Sequence, residues 1–219
     1  MTLYRTLEVR CANCQTPSAR SLLMSTHARG SPDLDDRPSI PARFTMDAWL
    51  QQCPSCGYVA ARLDDANDEG RHLVASTDYQ SLLLETQSRP AAARRFYLRA
   101  LLDHLTGDRE RAFCNKLAVA WLADDQHDDA RAKQMRIEAS EHLTGCRDLA
   151  LTTRIQMIDV YRRSSGWTEA RAVISSVKDE QLSDRLRSII RFQTERILGQ
   201  DTKRYTVEDA LKAYPIVSS

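Results

Sequence analysis

The spacing of apolar residues along the chain changes near residue 70. Before that point, Leu3, Leu7 and Val9 fall on one face of an extended segment that runs into Cys11, and Ser21 to Thr26 forms a second extended candidate. The stretch from Gly30 to Pro38 is dense in turn residues and reads as a loop, and Phe44 to Gln52 leads into a second pair of cysteines. From about residue 70 the period is helical. His72, Leu73, Tyr79, Leu82 and Leu83 predict a bridging helix, and Pro90 suits the first turn of the next, where a missing N–H costs little. That helix carries Tyr97, Leu98, Leu101, Leu102 and Leu105 and stops at Gly107. Another starts near Arg109, with Phe113, Leu117, Ala120 and Trp121 on one face. The acidic run from Asp124 to Asp129 supplies a turn and capping oxygens. Further helices are expected near 128–143, 147–164, 167–178 and 180–198, with a short one near 206–213.

The helical part contains an echo of itself. His104-Leu-Thr-Gly107-Asp-Arg109-Glu-Arg-Ala112 recurs 38 residues later as His142-Leu-Thr-Gly145-Cys-Arg147-Asp-Leu-Ala150, each copy at a junction between helices. Two helices per period of that length match a helical-hairpin repeat of about tetratricopeptide size. Gly166-Trp-Thr-Glu-Ala170 adds another helix–turn–helix signature. The equivalent placement of His104 and His142 points to packing or capping. Trp49, Trp121 and Trp167 read as core or junction residues.

Six cysteines alter the picture of the first segment. Four form the pattern Cys11-x2-Cys14 and Cys53-x2-Cys56, separated by 38 residues. Two residues between cysteines let the backbone turn so that both sulfurs reach one ion, and four thiolates close the coordination of Zn²⁺. Pro54 stiffens the second knuckle, and Gly57 can take the positive φ that turns N–H groups toward sulfur. The first knuckle, Cys11-Ala-Asn-Cys14-Gln15, has neither residue. Iron in the same cage and a thiol–disulfide couple are the competing readings; the couple expects a single pair at the head of a helix in a βαβ setting. Cys114 and Cys146 sit in apolar helical surroundings and are not expected to be ligands. The predicted fold is therefore mostly α: a small β zinc-ribbon-like module over residues 1–69, holding structural Zn²⁺ on Cys11, Cys14, Cys53 and Cys56, then tetratricopeptide-like helical hairpins over 70–219.

Charge narrows the function. The net charge is +1, and residues 1–90 carry nine basic against eleven acidic side chains, so there is no global drive toward nucleic acid. No apolar run reaches the roughly 18 residues of a membrane span, and Met1 to Arg10 lacks the pattern of a secretory signal, so a cytoplasmic protein is expected. Phosphate loops, serine elbows, H-E-x-x-H helices and dinucleotide fingerprints are all missing. The loop between the knuckles, with Asp33, Asp35 and Arg37 and with His27 upstream, is the candidate for a second functional patch: a second metal site on Asp and His, a partner contact through Asp35 and Arg37, or an Asp/His enzyme site. Its plainer reading is a solvated turn whose carboxylates cap local N–H groups.

The second knuckle with its Gly57-Tyr58-Val-Ala continuation, Phe96-Tyr-Leu-Arg-Ala-Leu-Leu, Cys114-Asn-Lys-Leu-Ala-Val-Ala-Trp121-Leu and Val160-Tyr-Arg-Arg-Ser-Ser-Gly166-Trp-Thr-Glu-Ala170 together resemble the bacterial domain-of-unknown-function family numbered 2225, across most of residues 8–178. Gln15 departs from the resemblance, standing where a glycine would improve the first knuckle, and Ser164-Ser165 softens the turn before Gly166. The resemblance implies a zinc-ribbon-like head on tetratricopeptide-like helices and no defined activity. The expected function is a non-catalytic adaptor that offers a helical face to a protein or peptide partner, with a nucleic-acid-binding ribbon as the alternative.

Overall fold

The computed structural model describes residues 2–178 and 180–216. Leu3–Arg10 (β1) and Pro17–Ser25 (β2) form an antiparallel hairpin closed by the first cysteine knuckle, with Arg10 opposite Pro17. β2 starts earlier than its apolar pattern suggests, because a proline at the first strand position forfeits no ladder bond that the sheet needs. The segment leading to the second knuckle contains a short 3-10 helix, Ala42–Ala48, that the sequence pattern did not reveal. Gln51–Gln52 (β3) and Val59–Ala60 (β4) then pair across the second knuckle.

The bridging helix expected over 72–83 is two pieces: a 3-10 helix, Glu69–Ala75, and Thr77–Glu85 (α1). Ser76 causes the break. It is extended, and its side chain caps α1 by accepting from the Tyr79 N–H, a role incompatible with a place inside one continuous helix. The remaining helices are Ala91–Leu105 (α2), Arg109–Asp125 (α3), Asp129–Glu141 (α4), Leu151–Arg163 (α5), Trp167–Ser176 (α6), Asp184–Leu198 (α7) and Val207–Ala213 (α8). Pro90 stands just outside α2, at its cap position. Asp108 and Asp128 cap α3 and α4, and Gly107 and Gly145 take φ of +86° and +79° in the turns that follow α2 and α4.

Helices α2 to α7 pack on one another in chain order. α2, α4 and α6 begin at residues 91, 129 and 167, so the 38-residue period extends to a third hairpin. Equivalent residues of the first two hairpins meet. The His104 and His142 rings have centroids 5.0 Å apart, and the Tyr97 hydroxyl donates to the Met135 sulfur at 2.7 Å across the same 38-residue interval. The hairpins therefore stack in register.

One apolar core joins the cysteine-rich segment to the helices. It runs from Val9, Cys11 and Cys53 through Tyr58 and Tyr79 to Phe96, Phe113, Leu117 and Trp121. Near residue 70 the secondary structure changes while the packing continues. A second cluster gathers Leu34, from the loop between the knuckles, with Ile155, Ile189, Phe192 and Val207. Among the described residues, no helix is long and apolar enough to cross a membrane.

Candidate metal centre

The two knuckles share one backbone design. In the first, the Gln15 N–H donates to the Cys11 carbonyl at 2.8 Å; in the second, the Gly57 N–H donates to the Cys53 carbonyl at 3.1 Å. Both donors sit in the left-handed region, Gln15 at φ +62° and Gly57 at φ +79°. Gln15 thus adopts the conformation a glycine would take freely, at a cost of about 1 kcal/mol. Gly57 has a further reason to be glycine: a Cβ there would lie 2.8 Å from a Leu83 methyl carbon. The Tyr79 hydroxyl donates to the Gly57 carbonyl at 2.8 Å, so α1 clamps the second knuckle from outside. The first knuckle is tied to the chain beyond the second by the Ala12 N–H donating to the Leu63 carbonyl at 2.7 Å.

These turns bring all four Sγ atoms within 4.8 Å of one another. Cys11 and Cys56 are 3.8 Å apart and Cys14 and Cys53 3.6 Å. A tetrahedron with Zn–S bonds of 2.3 Å has an S···S edge of about 3.8 Å, whereas a disulfide needs about 2.0 Å. The spacing fits a single tetrahedral ion. No other group of three or more Cys, His, Asp or Glu side chains converges in this way among the described residues. Cys114 lies on α3 and Cys146 between α4 and α5, both outside the cluster.

The thiols differ in their readiness to ionise. Burial pushes Cys11 up to about 12, and burial also raises Cys56 against the pull of the Asn13 side chain. Cys14 is drawn down to about 6, chiefly by the Thr16 hydroxyl 3.3 Å from its sulfur. Four thiolates in so enclosed a place need a cation to offset the burial of charge, and a divalent ion that displaces the protons supplies it.

The loop between the knuckles is buried. Its expected reading as a solvated turn or partner-facing patch is corrected: Asp33, Asp35 and Arg37 are between 0% and 1% exposed. The Asp35 carboxylate accepts from Trp121 Nε1 at 2.9 Å, Arg136 at 3.2 Å and Arg163 at 3.4 Å, while its main-chain oxygen accepts from Gln156 at 2.7 Å. Burial alone would raise Asp35; the two guanidiniums and the indole N–H outweigh it and hold the carboxyl below its usual range. Asp124 completes the cluster by pairing with Arg136 at 2.6 Å and Arg163 at 3.0 Å. Arg37 pairs with Asp125, and both oxygens of Asp33 accept from Arg43 at 3.0 Å. On the other side, Leu34 N–H donates to Tyr205 O at 3.0 Å and Val207 N–H to Pro32 O at 2.9 Å. The loop is wedged between α3–α5 and the C-terminal segment, and its charged residues hold the fold together. The sequence does not show this because the donors to the Asp35 carboxylate lie 86 to 128 residues away. Nor do His27 and the loop carboxylates form a metal-binding group.

Comparison with models of known protein families, with curated proteins and with solved structures gave no significant match to this chain.

Proposed function

We propose that this chain is a zinc-stabilised, non-catalytic adaptor of the cytoplasm, whose stacked tetratricopeptide-like hairpins bind a protein or peptide partner, in keeping with its resemblance to family 2225. The observation that carries the metal half is the tetrahedral spacing of Cys11, Cys14, Cys53 and Cys56. Zn²⁺ held there by four thiolates has no open coordination position, so it contributes folding energy and not Lewis-acid chemistry. The in-register stacking of hairpins supports the partner half, because such arrays create extended concave surfaces. A cleft of about 700 Å³ between α1, α2, α3 and α4 offers mixed chemistry to a bound segment: Leu82, Leu101 and Met135 are apolar, and the Tyr97 ring has Arg89 at 4.6 Å and Lys116 at 4.3 Å from its centroid.

Two measurements test the reading. Elemental analysis of protein purified without chelator should give one zinc per chain, lost in Cys53→Ser; a metal content near zero refutes the metal half. Affinity capture from the native host should yield a partner that Leu101→Glu releases while keeping zinc content and helical circular dichroism. A partner held equally by both proteins moves the binding surface elsewhere, and capture of none by the wild-type chain sinks the adaptor reading.

A further inference from the structure

A second cleft, of about 670 Å³, opens beside the second knuckle, between β2, the knuckle, α1 and the first turns of α2. Its polar lining is one-sided. Arg20, Arg94 and Arg95 line it with the amides of Asn13 and Gln52; no aspartate or glutamate does, and Cys53 and Cys56 of the knuckle line it too. The three guanidiniums crowd one another: after burial, the charges of Arg94 and Arg20 both push Arg95 down, against the pull of Asp47.

The half-buried arginines of this cleft are paired differently from the fully buried Arg99, Arg136 and Arg162. Arg99 pairs with Asp68 and Asp103, Arg136 with Asp35 and Asp124, and Arg162 with Asp159. Among the described residues Arg20 and Arg94 have no carboxylate partner; they donate to the Ser18 hydroxyl and to Gln52 Oε1, each at 3.1 Å. Arg95 reaches only the exposed Asp47, through its main-chain oxygen at 2.7 Å and a carboxylate oxygen at 3.5 Å, and Arg95 Nε is buried with no partner. A guanidinium presents planar, paired donors that match a carboxylate; the recess holds three of them and no carboxylate of its own, and the two negative charges that Zn²⁺ and four thiolates would carry beside it do not match all three, which favours an anionic guest.

We propose that this cleft seats an acidic segment of the partner, its Asp and Glu carboxylates pairing with Arg20, Arg94 and Arg95 while Asn13 and Gln52 take its main chain. The inference rests on the adaptor reading and adds the partner's chemistry. A peptide fits better than a nucleic-acid strand, because single-strand binding combines a basic groove with aromatic stacking and no aromatic side chain lines this cleft. The role to be separated from it is charge balance: a zinc ion with four thiolates carries two negative charges that nearby arginines would offset.

The test titrates the zinc-loaded full chain, at low and physiological salt, with three fluorescent probes: an oligoglutamate peptide, a Gly/Ser peptide of equal length and an oligothymidine of equal charge. The oligoglutamate should bind best. Arg20→Gln combined with Arg94→Gln should weaken it by about tenfold or more without loss of zinc. Lys133→Gln with Lys203→Gln, in the separate cleft between α4 and the C-terminal segment, should leave it unchanged. Equal affinity for the Gly/Ser peptide, tighter arginine-dependent binding of oligothymidine, or a double variant that loses zinc yet keeps the acidic peptide would each overturn the proposal. Its failure is distinct from failure of the adaptor reading: if the captured host partner still binds the Arg20/Arg94 double variant with unchanged affinity, the cleft assignment falls and the adaptor stands.

Discussion

Asp35 is the residue whose removal should expose the logic of this fold most clearly. Asp35→Ala deletes one acceptor from three donors on three helices: Trp121 on α3, Arg136 on α4 and Arg163 on α5. The Trp121 indole N–H, on a side chain 6% exposed, would be left without its acceptor, at about 1–3 kcal/mol. Breaking a buried ion pair by removing one member costs about 3–5 kcal/mol when the remaining charge is stranded. Here Asp124 still faces both arginines, which places the total near the lower end, about 3 kcal/mol. That is a large share of the 5–15 kcal/mol typical of a folded domain. The pH dependence has a definite sign. Asp35 is held below its ordinary value, so its contribution is fully present above the unfolded carboxyl pKa of about 3.9 and is lost as pH falls through the folded value. The gap between wild type and variant should therefore be constant near neutrality and close only under strongly acid conditions. Urea unfolding followed by far-ultraviolet circular dichroism, with zinc in excess, measures it. Because Asp35 lies on the chain between Cys14 and Cys53, the variant should also release zinc faster to a chromogenic chelator. A loss below about 1 kcal/mol would refute the view that this loop is a structural wedge.

Three further outcomes follow from particular contacts. Asp36→Asn should stabilise the protein at pH 7 by about 1 kcal/mol, a value discounted because the side chain is solvent-accessible. Burial, then Asp35 and Asp159, raises this carboxyl to about 6, so its ionisation opposes folding above that pH; the gain should fade between pH 6 and about 4, where both states become protonated, and a gain that grows on acidification would refute the assignment. Gly57→Ala combines a left-handed φ of +79° with a Cβ 2.8 Å from Leu83, whereas Gly107→Ala at φ +86° meets nothing within 4 Å. The first should cost more than the second, which should lose only about 1 kcal/mol in thermal unfolding. Changing Cys114 and Cys146 together to Ala should leave the zinc content untouched, since neither lies in the cysteine cluster; a drop would reassign the cage.

Local chemistry was legible without the fold. The four clustered cysteines could be named from the sequence because the x2 spacing makes each knuckle a self-contained turn, and the run that contains Asp128 could be read as a source of capping oxygens because a cap acts on N–H groups two or three residues away. The 38-residue period was visible at His104 and His142, since stacked hairpins repeat the residues that touch their neighbours. The break at Ser76 was also written in the chain, but the apolar period on either side masked its capping role. What the tertiary structure alone decided is the fate of polar residues whose partners are remote. Asp33, Asp35 and Arg37 carry the composition of a solvated turn, and only the convergence of α3, α4, α5 and the C-terminal segment turns them into a buried ionic wedge. Arg94 and Arg95 sit on a helix with nothing in the sequence to set them beside Arg20 until the cysteine knuckles draw β2 and α2 together. Hydropathy reports the cost of taking a side chain out of water in isolation. Whether that cost is offset depends on charges supplied from elsewhere, and those are set by the packing of the whole chain.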